Sequence, residues 1–280
     1  SHISKLTSLE TSAKYWSTTG QQCDVESLTL SPALQASLQQ VSHLGSGTFA
    51  HVHRVTLSGI PLARKTFQVY TPSELEEIKK EVDHVKTLSG HKHIIRLVGT
   101  YLDRHSSHDT FYILTFPVAD CDMAAFLAGF EASVLTTCPP ETITKLCYAS
   151  GIASTNNRYT PLSALLRAFL KSTLGCITTA IQFMHQAKIS HDDIKPANIL
   201  LRHGTIYITD FGISRNRLAS TQTSTELYVG HTHGWTAPEK GDQERHNPFQ
   251  ADIYSLGCVF MHVISLLSGI KMRKDCSEIL

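Results

Sequence analysis

The chain lacks a charge surplus of either sign. Lysine and arginine number 25 against 24 aspartates and glutamates in 280 residues, a formal charge of +1. That balance gives no global field to recruit nucleic acid or an anionic membrane, although a local basic groove is compatible with it. Paired cysteines are also missing. The seven cysteines (Cys23, Cys121, Cys138, Cys147, Cys176, Cys258, Cys276) are odd in number and contain no Cys-x-x-Cys spacing. Reduced thiols in the cytosol or nucleus are the simplest reading. Long apolar runs are scarce. The longest, Ile253 to Leu267, is broken by Ser255, His262 and Ser265, and it is shorter than the roughly 20 residues a membrane span needs. It reads as a buried core helix, so no span is expected. Residues 1–20 are rich in Ser and Thr and carry no apolar signal core. His51 with His53, and His91 with His93, have the look of metal pairs, but no third ligand sits at a useful spacing. There is no internal repeat.

What is present is globular. Hydrophobic residues are 41% and charged residues 18%, enough for one large domain or two lobes with a real core. Residues 1–37 are polar and weakly periodic and read as an N-terminal extension. Short β-like pieces follow: Val41 to Leu44, His51 to Leu57, and Leu62 to Phe67 after a Gly59-Ile60-Pro61 turn. Ser73 to Leu88 reads as a helix capped by Ser73 with Glu76 three residues on. Its apolar stripe is Leu75, Ile78, Val82, Val85 and Leu88. Ile94 to Leu102 and Phe111 to Thr115 read as strands.

After Pro117 the character turns helical. Asp122 to Phe130 is a short helix, and the polar stretch 131–161 reads as an insertion or long loop. Leu162 to Gln186 is a long helix with Leu165, Phe169, Leu174, Ile177, Ile181 and Met184 on one face. A second buried helix spans about Asp252 to Leu267. A small β lobe followed by a helical lobe implies a cleft between them, a usual place for a ligand.

Several segments carry chemistry. Gly45-Ser46-Gly47, between strands, lets backbone N–H groups approach phosphate oxygens, though a plain hairpin turn fits equally well. Lys65 lies eighteen residues past Gly47, on the face it shares with Ala63 and Phe67. If that face is buried, its ammonium needs an anion. Glu81, in the middle of the first helix, is the candidate, although it could equally pair with a lysine of its own helix. The densest segment is His191-Asp192-Asp193-Ile194-Lys195-Pro196-Ala197-Asn198, which Pro196 marks as a loop. Downstream, Ile206-Tyr207-Ile208-Thr209 reads as a strand delivering Asp210-Phe211-Gly212. Ala237-Pro238-Glu239 follows.

In this order the blocks resemble the eukaryotic-type protein kinase family over about Leu38 to Leu267. At roughly 5% usage per residue type, four fixed residues at fixed spacing recur on the order of once per 10⁵ positions, and here several blocks agree. The resemblance implies an α+β, two-lobed fold, with a small antiparallel sheet and one helix followed by a mainly helical lobe. It implies a kinase domain over 38–280, with an N-lobe over 38–116 and a C-lobe over 117–280 cut short after the buried helix. It further implies phosphoryl transfer from ATP, with Mg²⁺, to Ser/Thr hydroxyls of protein substrates. Asp193 would accept the hydroxyl proton and Lys195 would offset charge on the moving phosphoryl group. Asn198 and Asp210 would hold magnesium. Lys65, paired with Glu81, would contact phosphates beneath the Gly45 and Gly47 loop. Leu44, Val52, Ala63 and Leu200 would sandwich the adenine, Phe116 and Val118 would offer backbone groups to it, and Thr115 would stand as gatekeeper. Lys195-Pro196-Ala197-Asn198 and Thr232 match the Ser/Thr-specific form.

The chain departs from the family pattern at three places. Asp192 replaces the arginine that normally meets an activation-loop phosphate. Ala50 replaces a third glycine. The chain also stops soon after the buried helix, where the family continues with further helices, one bearing an arginine that pairs with the residue matching Glu239. Arg273 or Lys274 could substitute. A pseudokinase or nucleotide-binding scaffold is the alternative reading, and a small-molecule phosphotransferase is disfavoured by Ala237-Pro238-Glu239 and Thr232.

Overall fold

The computed structural model describes residues 38–46, 50–57, 59–104, 108–135, 139–152, 161–211, 234–241 and 247–269. They fall into two compact units, 38–89 with 95–118, and 90–94 with 119–269.

The first unit is an antiparallel five-stranded sheet with one helix. Its strands are β1 (Leu38–Ser46), β2 (His51–Leu57), β3 (Ile60–Val69), β4 (Arg96–Arg104) and β5 (Asp109–Phe116), ordered β1-β2-β3-β5-β4. Alternation sorts the side chains. Val55, Leu57, Ile60, Leu62, Val98, Tyr101, Leu114 and Phe116 form one buried cluster, whereas Phe67 and Val69 are buried from the opposite face of β3. The β2–β3 turn is tighter than expected. Gly59 at φ +82° closes it, and Ile60 already pairs with Leu57.

Helix α1 (Pro72–Leu88) carries the expected stripe, with Ile78, Val82, Val85 and Leu88 at most 3% exposed. Burying each such side chain contributes about 1.5–3 kcal/mol. The cap is corrected. Thr71, not Ser73, accepts from Glu74 N–H, and the Glu74 carboxylate reaches back to the Thr71 N–H. Pro72 at the first helical position explains the earlier start, and Glu76 pairs instead with Lys79 at 2.9 Å.

The second unit contains β6 (Cys121–Asp122), α2 (Met123–Leu135), α3 (Pro140–Ser150), α4 (Leu162–Gln186), β7 (Ile199–Arg202), β8 (Thr205–Ile208) and α5 (Pro248–Ser268), with 3₁₀ turns at Pro196–Asn198 and Pro238–Gly241. The small sheet is ordered β6-β7-β8. The stretch 131–161, expected as an insertion or long loop, is not a loop throughout. α2 runs through its first residues and α3 occupies its middle, with Leu146, Cys147, Ala149 and Ser150 buried. Polar composition concealed α3 because only its C-terminal turns are inward. That end docks on the β7–β8 turn through Gly204 N–H to Ala149 O, 2.8 Å. The approach requires glycine on both sides. A Cβ at Gly151 would lie 2.9 Å from His203 backbone, and one at Gly204 would lie 2.9 Å from Ser150 O.

α4 begins and ends where the sequence predicts. Its most buried positions in the first half are Leu166, Leu170 and Thr173, while Leu165, Phe169 and Leu174 are half-buried, with Phe169 edge-on to the buried Phe126. α5 begins four residues before Asp252, capped by Asn247 with Pro248 following. By length and composition, α4 and α5 are each long and apolar enough to cross a membrane, which corrects the expectation that no stretch is. The serines that break the apolar run are absorbed within α5. Ser255 donates to Ala251 O and Ser265 to His262 O. Both helices also have faces buried in this unit: Leu256, Val259 and Val263 on α5, and Ile177, Ile181 and Met184 on α4.

Candidate active site

In the first unit the ladder register brings the expected nucleotide-facing residues into a row. Gly45 pairs with Val52, and Val52 pairs with Lys65. Residues directly opposite in a ladder share a face, so all three point the same way, with Ala63 two residues before Lys65 on that face. The Lys65 ammonium lies 5.1 Å from the Phe67 ring centroid, a cation–π contact along the strand. Thr115 pairs with Ala63, and its hydroxyl donates to Ala63 O. Leu44 is exposed, while Phe116 and Val118 are buried. The Phe116 side chain belongs to the cluster on the other face, so any ligand-facing role falls to its backbone. Residues 47–49, Gly47 among them, and the Ser46 and Glu81 side chains lie outside the described residues, and the Lys65–Glu81 pair lies outside them with Glu81.

In the second unit Asp193, Lys195 and Asn198 come together. Lys195 Nζ is 2.9 Å from Asp193 Oδ2. Asn198 Nδ2 donates to the same oxygen at 3.0 Å and to Asp193 O at 2.8 Å. The 3₁₀ turn Pro196–Asn198 makes this possible by folding Asn198 back, its N–H donating to Lys195 O. Both donors act on Oδ2, and neither engages Oδ1. Leu200 is half-buried on β7, and Asp210 follows β8 at φ +64°, a left-handed conformation that aspartate tolerates better than most side chains.

Two residues hold this loop that the sequence did not single out for that task. Asp252, 1% exposed on α5, accepts from His191 N–H and Asp192 N–H, each at 2.8 Å, and lies 2.9 Å from His185 Nε2. The buried carboxylate is thereby satisfied, as burial of a charge requires. His191, fully buried, accepts from Asp193 N–H at Nδ1 (3.2 Å), so its proton sits on Nε2, which donates to Thr209 O at 2.9 Å. Thr209 N–H in turn donates to Asn198 O. The base-bearing loop and the strand end before Asp210 are thus tied by neutral hydrogen bonds. An acid inside an apolar helix was the available signal for Asp252. Nothing in the residue pattern marks the partner of a buried histidine.

Burial pushes the Cys121 thiol up to about 12, so it stays protonated and takes no nucleophilic part. Thr232 lies outside the described residues, as do Thr221, Thr223, Ser224, Thr225, Arg273 and Lys274. Glu239 is half-buried in its 3₁₀ turn.

The donor set fits magnesium. Asn198 spends its amide N–H groups on Asp193, which leaves its side-chain oxygen for a cation, and Asp210 adds a carboxylate. Hard oxygen ligands of this kind suit Mg²⁺.

The protein kinase domain model matches residues 38–275. The chain is 26% identical over 227 residues to mitogen-activated protein kinase kinase kinase 1a of Physcomitrium patens, covering 79% of this chain and 24% of that protein. It is 26% identical over 224 residues to mitogen-activated protein kinase kinase kinase 2 of Arabidopsis thaliana, covering 80% and 28%. Over 100 residues it is 37% identical to a probable serine/threonine-protein kinase of Streptomyces coelicolor, covering 35% and 14%. The chain spans less than a third of the length of each of these relatives.

Proposed function

We propose, from the premise that this chain belongs to the protein kinase family, that it transfers a phosphoryl group from Mg·ATP to serine and threonine hydroxyls of protein substrates. The observation that carries this reading is the convergence of Lys195 and Asn198 on one oxygen of Asp193. Asp193 Oδ1 accepts the hydroxyl proton as the oxygen turns nucleophile. Lys195 holds the carboxylate in place and presents positive charge where negative charge develops. Asn198 fixes the carboxylate orientation and, with Asp210, would hold the cation. Lys65 orients the phosphates. Bound Mg·ATP supplies the transferable group, with the cation neutralising its oxygens. The resemblance of Lys195-Pro196-Ala197-Asn198 to the Ser/Thr form, and the relatives' names, support serine and threonine as acceptors. The four described cysteines are free thiols, which supports work in a reducing compartment, cytosol or nucleus.

The test is a radiolabelled ATP assay on generic protein substrates, with Asp193→Asn and Asp210→Ala as controls. Incorporation into Ser or Thr that both substitutions abolish is expected. Thermal stabilisation by Mg·ATP with no transfer above the Asp193→Asn background would overturn it in favour of a nucleotide-binding scaffold.

A further inference from the structure

His93 is 5% exposed, among the most buried polar residues of the second unit, and the reaction as proposed does not use it. It belongs to residues 90–94, between α1 and β4 in the chain. Its ring Nδ1 lies 3.1 Å from Ile206 O and its backbone O accepts from Ile208 N–H at 2.8 Å. The neighbouring residue Ile94 continues this contact as a parallel bridge to Ile208. His93 N–H donates to His91 Nδ1, and the His91 ring stacks on Phe183 of α4 at 5.0 Å between centroids. One residue therefore grips β8 twice, immediately before Thr209 and Asp210.

The remaining ring nitrogen decides the chemistry. His93 Nε2 is buried and has no hydrogen-bond partner among the described residues. With Ile206 O as acceptor, Nδ1 must carry the proton, so Nε2 is a bare lone pair in the neutral ring. A second proton there would be a buried N–H with nothing to receive it, on a cation with nothing to balance it. The charged group acting on the ring is Lys92, from its own loop, and the ring in turn disfavours a charge on its neighbour His91. β8 offers it the backbone carbonyl of Ile206, and α4 reaches its neighbour through Phe183. No carboxylate acts on it among the described residues.

We infer that His93 is a positioning residue whose neutral imidazole clamps β8, and through it Asp210, and that protonating this ring releases the clamp. The inference rests on the kinase reading only in giving Asp210 a role. Burial, opposed by the Ile206 carbonyl, lowers the pKa of this histidine below its ordinary value. The folded state consequently binds fewer protons than the unfolded one as pH falls below about 6.5. Stability contributed by the clamp is complete above that value and declines below it until the folded-state pKa is passed.

The measurement is hydrogen exchange of residues 205–210 in the full chain and in His93→Asn at the same pH. Asparagine places an amide N–H where Nδ1–H was and does not titrate. At pH 7.5 the two proteins should match, and at pH 5.5 the wild type should exchange faster by on the order of tenfold. Equal exchange at both values overturns the proposal. If His93→Asn is already unprotected at pH 7.5, an NMR titration of the wild type decides. The His93 ring and the Ile208 amide must then move with one midpoint, and separate midpoints overturn the proposal. Neither readout needs turnover, so both stand even if no phosphotransfer is found. Where phosphotransfer is found, its acid limb should shift in His93→Asn, and an unshifted limb removes Asp210 positioning while leaving the activity in place.

Discussion

The row Gly45–Val52–Lys65 and the loop 190–198 position side chains by different means. In the sheet the ladder does the work. Register alone puts three residues on one face. In the loop there is no ladder, and backbone N–H groups are satisfied one at a time by Asp252 and His191. A strand tolerates loss of one side chain because its neighbours keep the register. A loop held by a few buried posts does not, because each post serves several atoms.

The largest expected effect lies at the loop's reacting atom. Asp193→Asn keeps the shape that Lys195 and Asn198 surround but removes the proton acceptor. The turnover rate should fall by about 10²–10⁴-fold, with the thermal unfolding midpoint little changed. A midpoint that falls with the rate would mean Asp193 is structural. The next effect should come from the post. Asp252→Ala strips the acceptor from one buried and one half-buried N–H group, at about 1–3 kcal/mol for the buried one and less for the other, so denaturant unfolding should register a loss of about 2–4 kcal/mol. Turnover should fall with it, since the loop loses its anchor. A variant of unchanged stability would erase the distinction between ladder and post.

The same division explains what the sequence made legible. Elements with a strong period were legible: the α1 stripe, the full extent of α4, and the strand ending before Asp210. So were the residues of the dense loop, because Asp193, Lys195 and Asn198 are close in the chain and rigid turn chemistry brings them together. Asp252 was legible as the acid opening the buried helix, but its role as a post was not. It is 59 residues beyond Asp193, and the β8 partners of His93 are more than a hundred residues from it, so these contacts depend on tertiary packing that no local pattern encodes. α3 was missed for a related reason. Its inward face is confined to its last turns, too little for a period to emerge from a polar stretch.

The sheet side of the comparison predicts smaller losses. Val52→Ala removes part of a half-buried side chain, about 1 kcal/mol of transfer free energy, while the ladder on either side keeps Lys65 in register. Its signature should be a raised KM for ATP with kcat retained. A collapse of kcat would show that the row, like the loop, hangs on single side chains. Thr71→Ala should cost about 1 kcal/mol through the lost α1 cap, read as a shift in the urea midpoint with the slope unchanged. Ser73→Ala should be neutral beside it.

The smallest expected effect is none at all, and it concerns Asp192, the residue that follows one post and precedes the base. Its N–H is held by Asp252 Oδ1 and its φ is +66°. Its carboxylate accepts a long bond from the Ser190 hydroxyl at 3.4 Å. A phosphate added at Thr221, Thr223, Ser224 or Thr225 that approached this position would meet a second negative charge rather than the guanidinium the family usually places there, and like charges repel. Phosphorylation of those residues therefore cannot organise the loop through residue 192, which Asp252 already anchors through the backbone. Phosphatase treatment of the purified protein should leave its transfer rate unchanged, and Asp192→Arg should create a dependence that the wild type lacks. A large loss on dephosphorylation of the wild type would mean that the loop, despite its buried posts, is not set until a modification arrives. The contrast with the sheet would then rest on regulation rather than on hydrogen bonding.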